Sequence, residues 1–162
     1  EVYKATASIN IAALSSLKAF STGNATVGPA SWPNLGSTFN LNGTGVATIS
    51  NSLQYATYYR IIFSASKMSE STGVAGQIIC QFQDESGPTL FGVTKTLDCL
   101  PTNAPFSAPA FCNEVYLTAL ISVPSASSFN FSVILNNPGA NQVTIDPTSP
   151  DNPCLLIIER VV

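Results

Sequence analysis

Asn152-Pro153-Cys154-Leu155-Leu156-Ile157-Ile158-Glu159-Arg160-Val161-Val162 closes the chain, and its reading decides the fold. The apolar run from Leu155 to Ile158 is unbroken, short, opened by a proline and rich in β-branched residues. A run of this kind fits a central strand buried on both faces better than a helix. Glu159 and Arg160 stand where such a strand would emerge into water. A central final strand needs earlier strands on both sides of it, so the contacts that close the fold are far apart in sequence.

Working outward from that strand, Val143 to Ile145 reads as a short strand, with Asn136-Asn137-Pro138-Gly139 turning the chain before it. Phe129 to Leu135 and Val115 to Val123 each place apolar residues on alternate positions, and Pro124-Ser125-Ala126-Ser127 turns between them. Asp98 to Cys112 carries Pro101, Pro105 and Pro109 and reads as a surface loop rather than a central strand. Gln77 to Gln83 and Leu90 to Thr96 read as a hairpin turned at Asp84-Glu85-Ser86-Gly87-Pro88.

The strand Tyr58 to Ser66 puts Tyr59, Ile61, Phe63 and Ala65 on one face and Tyr58, Arg60, Ile62 and Ser64 on the other. Thr38 to Leu41 and Val46 to Ser50, split by Asn42-Gly43-Thr44-Gly45, read as a second hairpin. Ser21 to Asn34 is a long irregular connection around Trp32. Glu1 to Phe20 reads either as a strand over Ser8 to Ala12 or as a short helix over Ala12 to Ala19. About eight to ten short strands at regular spacing specify an all-β antiparallel sandwich or jelly roll. The 162 residues suit one domain, with 1–20 as a segment that could be detached or exchanged.

Charged residues make up only 9% of the chain, so Ser, Thr and Asn supply most of its polarity. Six Lys plus Arg against nine Asp plus Glu give a net charge of −3, which leaves no basic stripe to collect phosphates. Nucleic acid is therefore not an expected partner. No apolar run reaches the ~20 residues of a membrane-spanning helix, so no membrane insertion is expected either. A weakly charged polar surface lacks the repulsion that keeps copies apart, which permits dense self-association.

Cys80, Cys99, Cys112 and Cys154 show no CxxC spacing, and the chain has no histidine to complete a zinc site. They read as disulfide candidates, with Cys99 and Cys112 flanking the Pro-rich loop as the favoured pair and every connectivity open. Four buried free thiols in a reducing compartment is the competing reading. Sequons at Asn24, Asn42 and Asn130 fit a secreted glycoprotein, although a chain so rich in Asn, Ser and Thr forms sequons by chance. Together these features point to an extracellular or surface-displayed protein of a spore, a cell-surface filament or a virion.

Gly36-Ser37-Thr38-Phe39, then Tyr58-Tyr59-Arg60-Ile61-Ile62-Phe63, then the terminal Leu155-Leu156-Ile157-Ile158-Glu159-Arg160-Val161-Val162 follow one another in a familiar order. From Gly36 onward the chain resembles the trimeric jelly rolls related to tumour necrosis factor and the complement globular heads. It looks most like the C-terminal domains of collagen-like spore-surface (exosporium) glycoproteins, which also end in an aliphatic run followed by Glu, a basic residue and Val. Thr57 stands where that family has Gly, no Gly-X-Y repeat precedes the domain, and four cysteines depart from its pattern. The resemblance implies a three-fold head packed through apolar residues on the outward face of the inner sheet, with Tyr58, Ile62, Leu120 and Leu155 as candidates. The alternative covers these four with loops of the same subunit.

The absence of histidine removes the commonest general base and the usual catalytic triad. Asp84 with Glu85, and Asp146 with Asp151, sit in turns without acid and base roles, so neither an enzyme nor a metal or cofactor is expected. The leading expectation is a structural protein whose partner is another copy of itself. A pilus-like filament would instead exchange Val2 to Leu14 between subunits, through Ile9, Ile11 and Leu14. A viral capsid or spike jelly roll shares the same features. A carbohydrate-binding module would stack sugar on Trp32 or on one of Tyr55, Tyr58 and Tyr59.

Overall fold

A computed structural model describes residues 2–5, 9–11, 15–18, 26–27, 37–39, 47–65, 68–70, 76–87, 89–100, 110–112, 115–138, 143–145 and 154–161, with side chains at 47–65, 79–87, 89–92, 94, 96, 115–138 and 154–161. Every regular element among them is a strand. In chain order these are β1 (Val2–Ala5), β2 (Ile9–Ile11), β3 (Ser15–Lys18), β4 (Thr26–Val27) and β5 (Ser37–Phe39). Next come β6 (Ala47–Asn51), β7 (Thr57–Ala65), β8 (Met68–Glu70), β9 (Gly76–Asp84) and β10 (Thr89–Leu100). The last are β11 (Ala110–Cys112), β12 (Val115–Val123), β13 (Ser127–Asn137), β14 (Val143–Ile145) and β15 (Cys154–Arg160).

They form two sheets. One has five strands in the order β12-β7-β15-β1-β5, and the other runs β2-β14-β8-β11-β10-β9-β13-β6-β4, with β3 paired to β13. Pairing is antiparallel except for β1 with β5 and β4 with β6. The terminal strand is central as expected, held between β7 and β1. It is not buried equally on both faces: Cys154, Leu156 and Ile158 are buried, whereas Leu155 and Ile157 are only half-buried. Alternation along one strand means that one face meets the opposite sheet and the other does not.

The core lies where the sheets face each other. Tyr59, Ile61, Phe63, Leu117, Leu156 and Ile158 from the five-stranded sheet join Ile49, Cys80, Phe82, Phe131, Val133 and Leu135 from the other. A chain of four rings runs through the second sheet's inner face. Phe82 stacks on Phe91 at 5.5 Å, Phe91 meets Phe129 edge-on at 5.6 Å, and Phe129 stacks on Phe131 at 6.2 Å. Offset and edge-on contacts of this type suit the aromatic quadrupole.

Several sequence expectations change. The helix over Ala12 to Ala19 gives way to strand over Ser15–Lys18, because those residues complete a ladder with Ile134 to Asn137. The Asn42-Gly43 signal does not make a hairpin: β5 pairs with β1 in one sheet and β6 with β13 and β4 in the other. The Pro-rich stretch expected to be loop is strand at both ends, since β10 runs to Leu100 and pairs with β11. The turn after β12 carries the chain from one sheet to the other, with Ala126 at φ 49° and its N–H donating to the Leu53 carbonyl at 3.2 Å.

One buried side chain locks that crossing. The Asn51 amide donates to the carbonyls of Val123 at 3.0 Å, Pro124 at 2.9 Å and Tyr55 at 2.9 Å, while its Oδ1 accepts from the Leu53 N–H at 3.1 Å. Two crossings between the sheets, β6 to β7 and β12 to β13, are thereby tied together by a single residue.

Candidate self-assembly face

Strand register sets out the outward face of the five-stranded sheet in rows. Ser64 of β7 lies between Tyr116 and Leu155, Ile62 between Thr118 and Ile157, and Arg60 between Leu120 and Glu159. Tyr58 follows, opposite Ser122, and its carbonyl accepts the Val161 N–H at 2.8 Å. All of these share a face because side chains alternate along a strand. The four residues singled out from the sequence, Tyr58, Ile62, Leu120 and Leu155, therefore come together on one surface.

Their exposure differs. Leu120 is 63% exposed and Tyr58 50%, whereas Ile62, in the middle row, is 8% exposed and already covered within the chain. Tyr116, 52% exposed, and the half-buried Ile157 belong to the same face and were missed from the sequence. The period of β12 carried the signal for Tyr116, since it stands two residues from Thr118 and four from Leu120. The charges on this face that the register brings together form an ion pair: Arg60 Nε donates to Glu159 Oε2 at 2.8 Å and its Nη2 to the same oxygen.

The remaining candidates fall elsewhere. Ile9 and Ile11 lie on β2, paired to β14 in the other sheet, and Leu14 lies outside the described residues. The N-terminal strand β1 is paired to β15 and β5. Asn130 sits in β13 with its Oδ1 accepting from Thr48 Oγ1 at 2.8 Å, and Ser132 of its sequon is fully buried and donates to Glu85. Asn24 and Asn42 lie outside the described residues.

Cys80 and Cys154 are free thiols in the core. Burial pushes both up to about 12, and for Cys154 the nearby Cys80 adds to the effect. They behave as small hydrophobes rather than as nucleophiles. Cys99 and Cys112 are direct cross-strand partners in the β10–β11 ladder.

Of the carboxylates, Asp84 Oδ1 accepts from the Ser86 N–H at 2.8 Å and Oγ at 2.7 Å, and Glu85 accepts from Gln83 Nε2 at 3.2 Å and from Ser132. Asp146 and Asp151 lie outside the described residues, as does Trp32. Among the described residues no three His, Cys, Asp or Glu side chains gather around a common point, and no helix is long and apolar enough to cross a membrane. Tyr59 is buried, with its hydroxyl unpartnered and its pKa raised by burial against a lowering influence from Arg160. It cannot serve as a sugar platform, and Tyr55 and Tyr58 are left as the exposed tyrosines of that trio.

No family model matches the chain. It is 29% identical over 156 residues to the uncharacterized protein 219L of Invertebrate iridescent virus 6, a match that takes in 94% of this chain and 46% of that protein. The chain thus spans about half the length of its viral relative. Among solved structures, a carbohydrate-binding module, CBM35 from Cellvibrio japonicus Abf62, aligns over 94% of this chain and 96% of its own at 12% identity and a TM-score of 0.30. A Bacillus thuringiensis Cry1Da tryptic core variant aligns over 73% of this chain and 17% of its own at 13% identity and the same TM-score. The all-β sandwich stands on the strand pairing itself.

Proposed function

We propose that the chain is a non-enzymatic structural subunit of a virion or other surface layer, self-assembling through the outward face of its five-stranded sheet. The observation that carries this reading is the single sheet face on which Tyr58, Tyr116, Leu120, Leu155 and Ile157 fall in register. Burying it against a second copy would remove exposed tyrosine and leucine from water, and the Arg60–Glu159 pair would enter the interface already matched. A net charge of −3 sets little repulsion against that association. The viral relative supports a virion over a spore surface, and the three-fold arrangement is the one the jelly-roll resemblance implies.

Light scattering tests the reading on the full chain. A discrete oligomer, expected to be a trimer, should fall to the 17.0 kDa monomer in Leu120→Glu, which places an unpaired charge on the face without touching the core. A wild-type chain that is itself a monomer at high concentration, or an oligomer indifferent to the substitution, would refute it.

A further inference from the structure

Beyond self-assembly, we infer that the groove between β10 and the edge strand β12 binds the ring of a neutral pyranose sugar. The groove has a volume of about 360 Å³, at the small end of ligand-binding pockets, and is lined by Asp84, Phe91, Gly92, Leu120, Ser122 and Phe129. Its shape comes from a bulge. Phe91 pairs with Phe82 but Lys95 with Cys80, so the ladder slips between them, and Gly92 takes φ +73°, a conformation that favours glycine.

The bulge also decides what can enter. β12 is the edge of its sheet and, among the described residues, pairs only with β7, so an added strand would be the ordinary occupant. Gly92 closes that edge: a Cβ there would stand 3.4 Å from the Ala119 Cβ and 3.6 Å from the Thr118 carbonyl oxygen. β10 therefore already lies against the edge of β12 at this point. What stays open is the short stretch beside Leu120 and Ser122, whose backbone groups face the same side as those of Thr118 because strand geometry repeats every two residues.

The lining fits a molecule with one apolar face and hydroxyls around its rim. Phe91 and Phe129, both only partly buried, offer ring surface for the C–H face of a pyranose. Asp84 supplies a carboxylate whose Oδ1 accepts from Ser86, and its second oxygen is the acceptor proposed for sugar hydroxyls. Thr89 and Ser122 add hydroxyls at the mouth. These side chains are not those expected to stack sugar from the sequence, and of them Leu120 and Ser122 also border the outward face proposed for assembly.

The test is a ¹⁵N-edited NMR titration of the full chain with methyl glycosides of glucose, galactose, mannose, xylose and N-acetylglucosamine. At least one should give saturable shifts confined to Thr89–Gly92 and Leu120–Ser122. Asp84→Asn keeps the Oδ1 acceptor for Ser86 and should weaken that binding by about tenfold, the loss of one charge-assisted hydrogen bond. Ser122→Trp, which fills the mouth from an exposed position, should abolish it. No saturable shift with any of the five sugars, or equal affinity in wild type and both variants, would overturn the inference.

Discussion

The two faces of the five-stranded sheet are built from the same strands, yet they have different fates. Inward, Tyr59, Ile61, Phe63, Leu156 and Ile158 meet the second sheet and are sealed from water. Outward, Tyr58, Tyr116 and Leu120 stand exposed beside half-buried Leu155 and Ile157. Hydrophobicity states that a residue gains from burial; only a partner surface decides whether it is buried. On the inner face that partner is the same chain, and on the outer face it is proposed to be another copy.

Substitutions on the two faces should separate folding from association. Phe63→Ala, on the inner face, should cost about 3–5 kcal/mol in chemical denaturation, through lost transfer energy and an unfilled cavity. Leu155→Ala, its outer neighbour across β15, should cost the monomer about 1 kcal/mol and instead weaken the oligomer, which a native-mass measurement reads. Equal stability losses at both positions would erase the distinction.

Two thiols lie in the core that the inner face helps to form, Cys154 on that face and Cys80 on the second sheet, and they give the core a pH signature that the outer face lacks. Below the ordinary thiol range, near ~8.5, both folded and unfolded chains carry the protons and stability is unaffected. Above it the unfolded chain ionises first, because burial holds Cys80 and Cys154 up to about 12, so stability should fall steadily as pH rises through that window. Urea midpoints at increasing alkaline pH should show this slope in wild type and a shallower one in Cys80→Ala/Cys154→Ala. A thiol reagent at neutral pH should label neither residue until the chain unfolds.

Smaller effects follow at the rim. Asn51→Ala leaves the Val123 and Pro124 carbonyls without their buried donor and should cost about 1–3 kcal/mol, seen as a lower thermal midpoint. Arg60→Ala breaks an ion pair exposed to solvent and should change monomer stability by less than about 1 kcal/mol. Its effect should grow if the pair is covered in the oligomer, because Glu159 would then be buried alone.

How much of this was legible in the sequence follows from which physical signals are local. Period-two alternation in Tyr58 to Ala65 and Val115 to Val123 gave correct strands and correct faces, because burial on one side leaves that pattern directly. The centrality of the terminal strand was legible from its unbroken apolar run, although Leu155 and Ile157 are less buried than that run implied. Sheet membership was not. Asn42-Gly43 marks a turn, but a turn does not say whether the flanking strands pair or cross between sheets, as β5 and β6 do. Ser15–Lys18 has no alternation strong enough to declare a strand, and only the ladder with β13 makes it one. The groove was invisible because it depends on a bulge at Gly92 and on two rings, Phe91 and Phe129, brought together from separate strands.

Hydroxyl-radical footprinting across a concentration series reads the outer face most directly, with Leu90, exposed on β10 of the other sheet, as the internal control. If that face joins copies, Tyr58, Tyr116 and Leu120 should lose reactivity together as the oligomer forms while Leu90 keeps its own. Unchanged reactivity at those three residues in a sample shown to be oligomeric would mean that the chain associates through another surface.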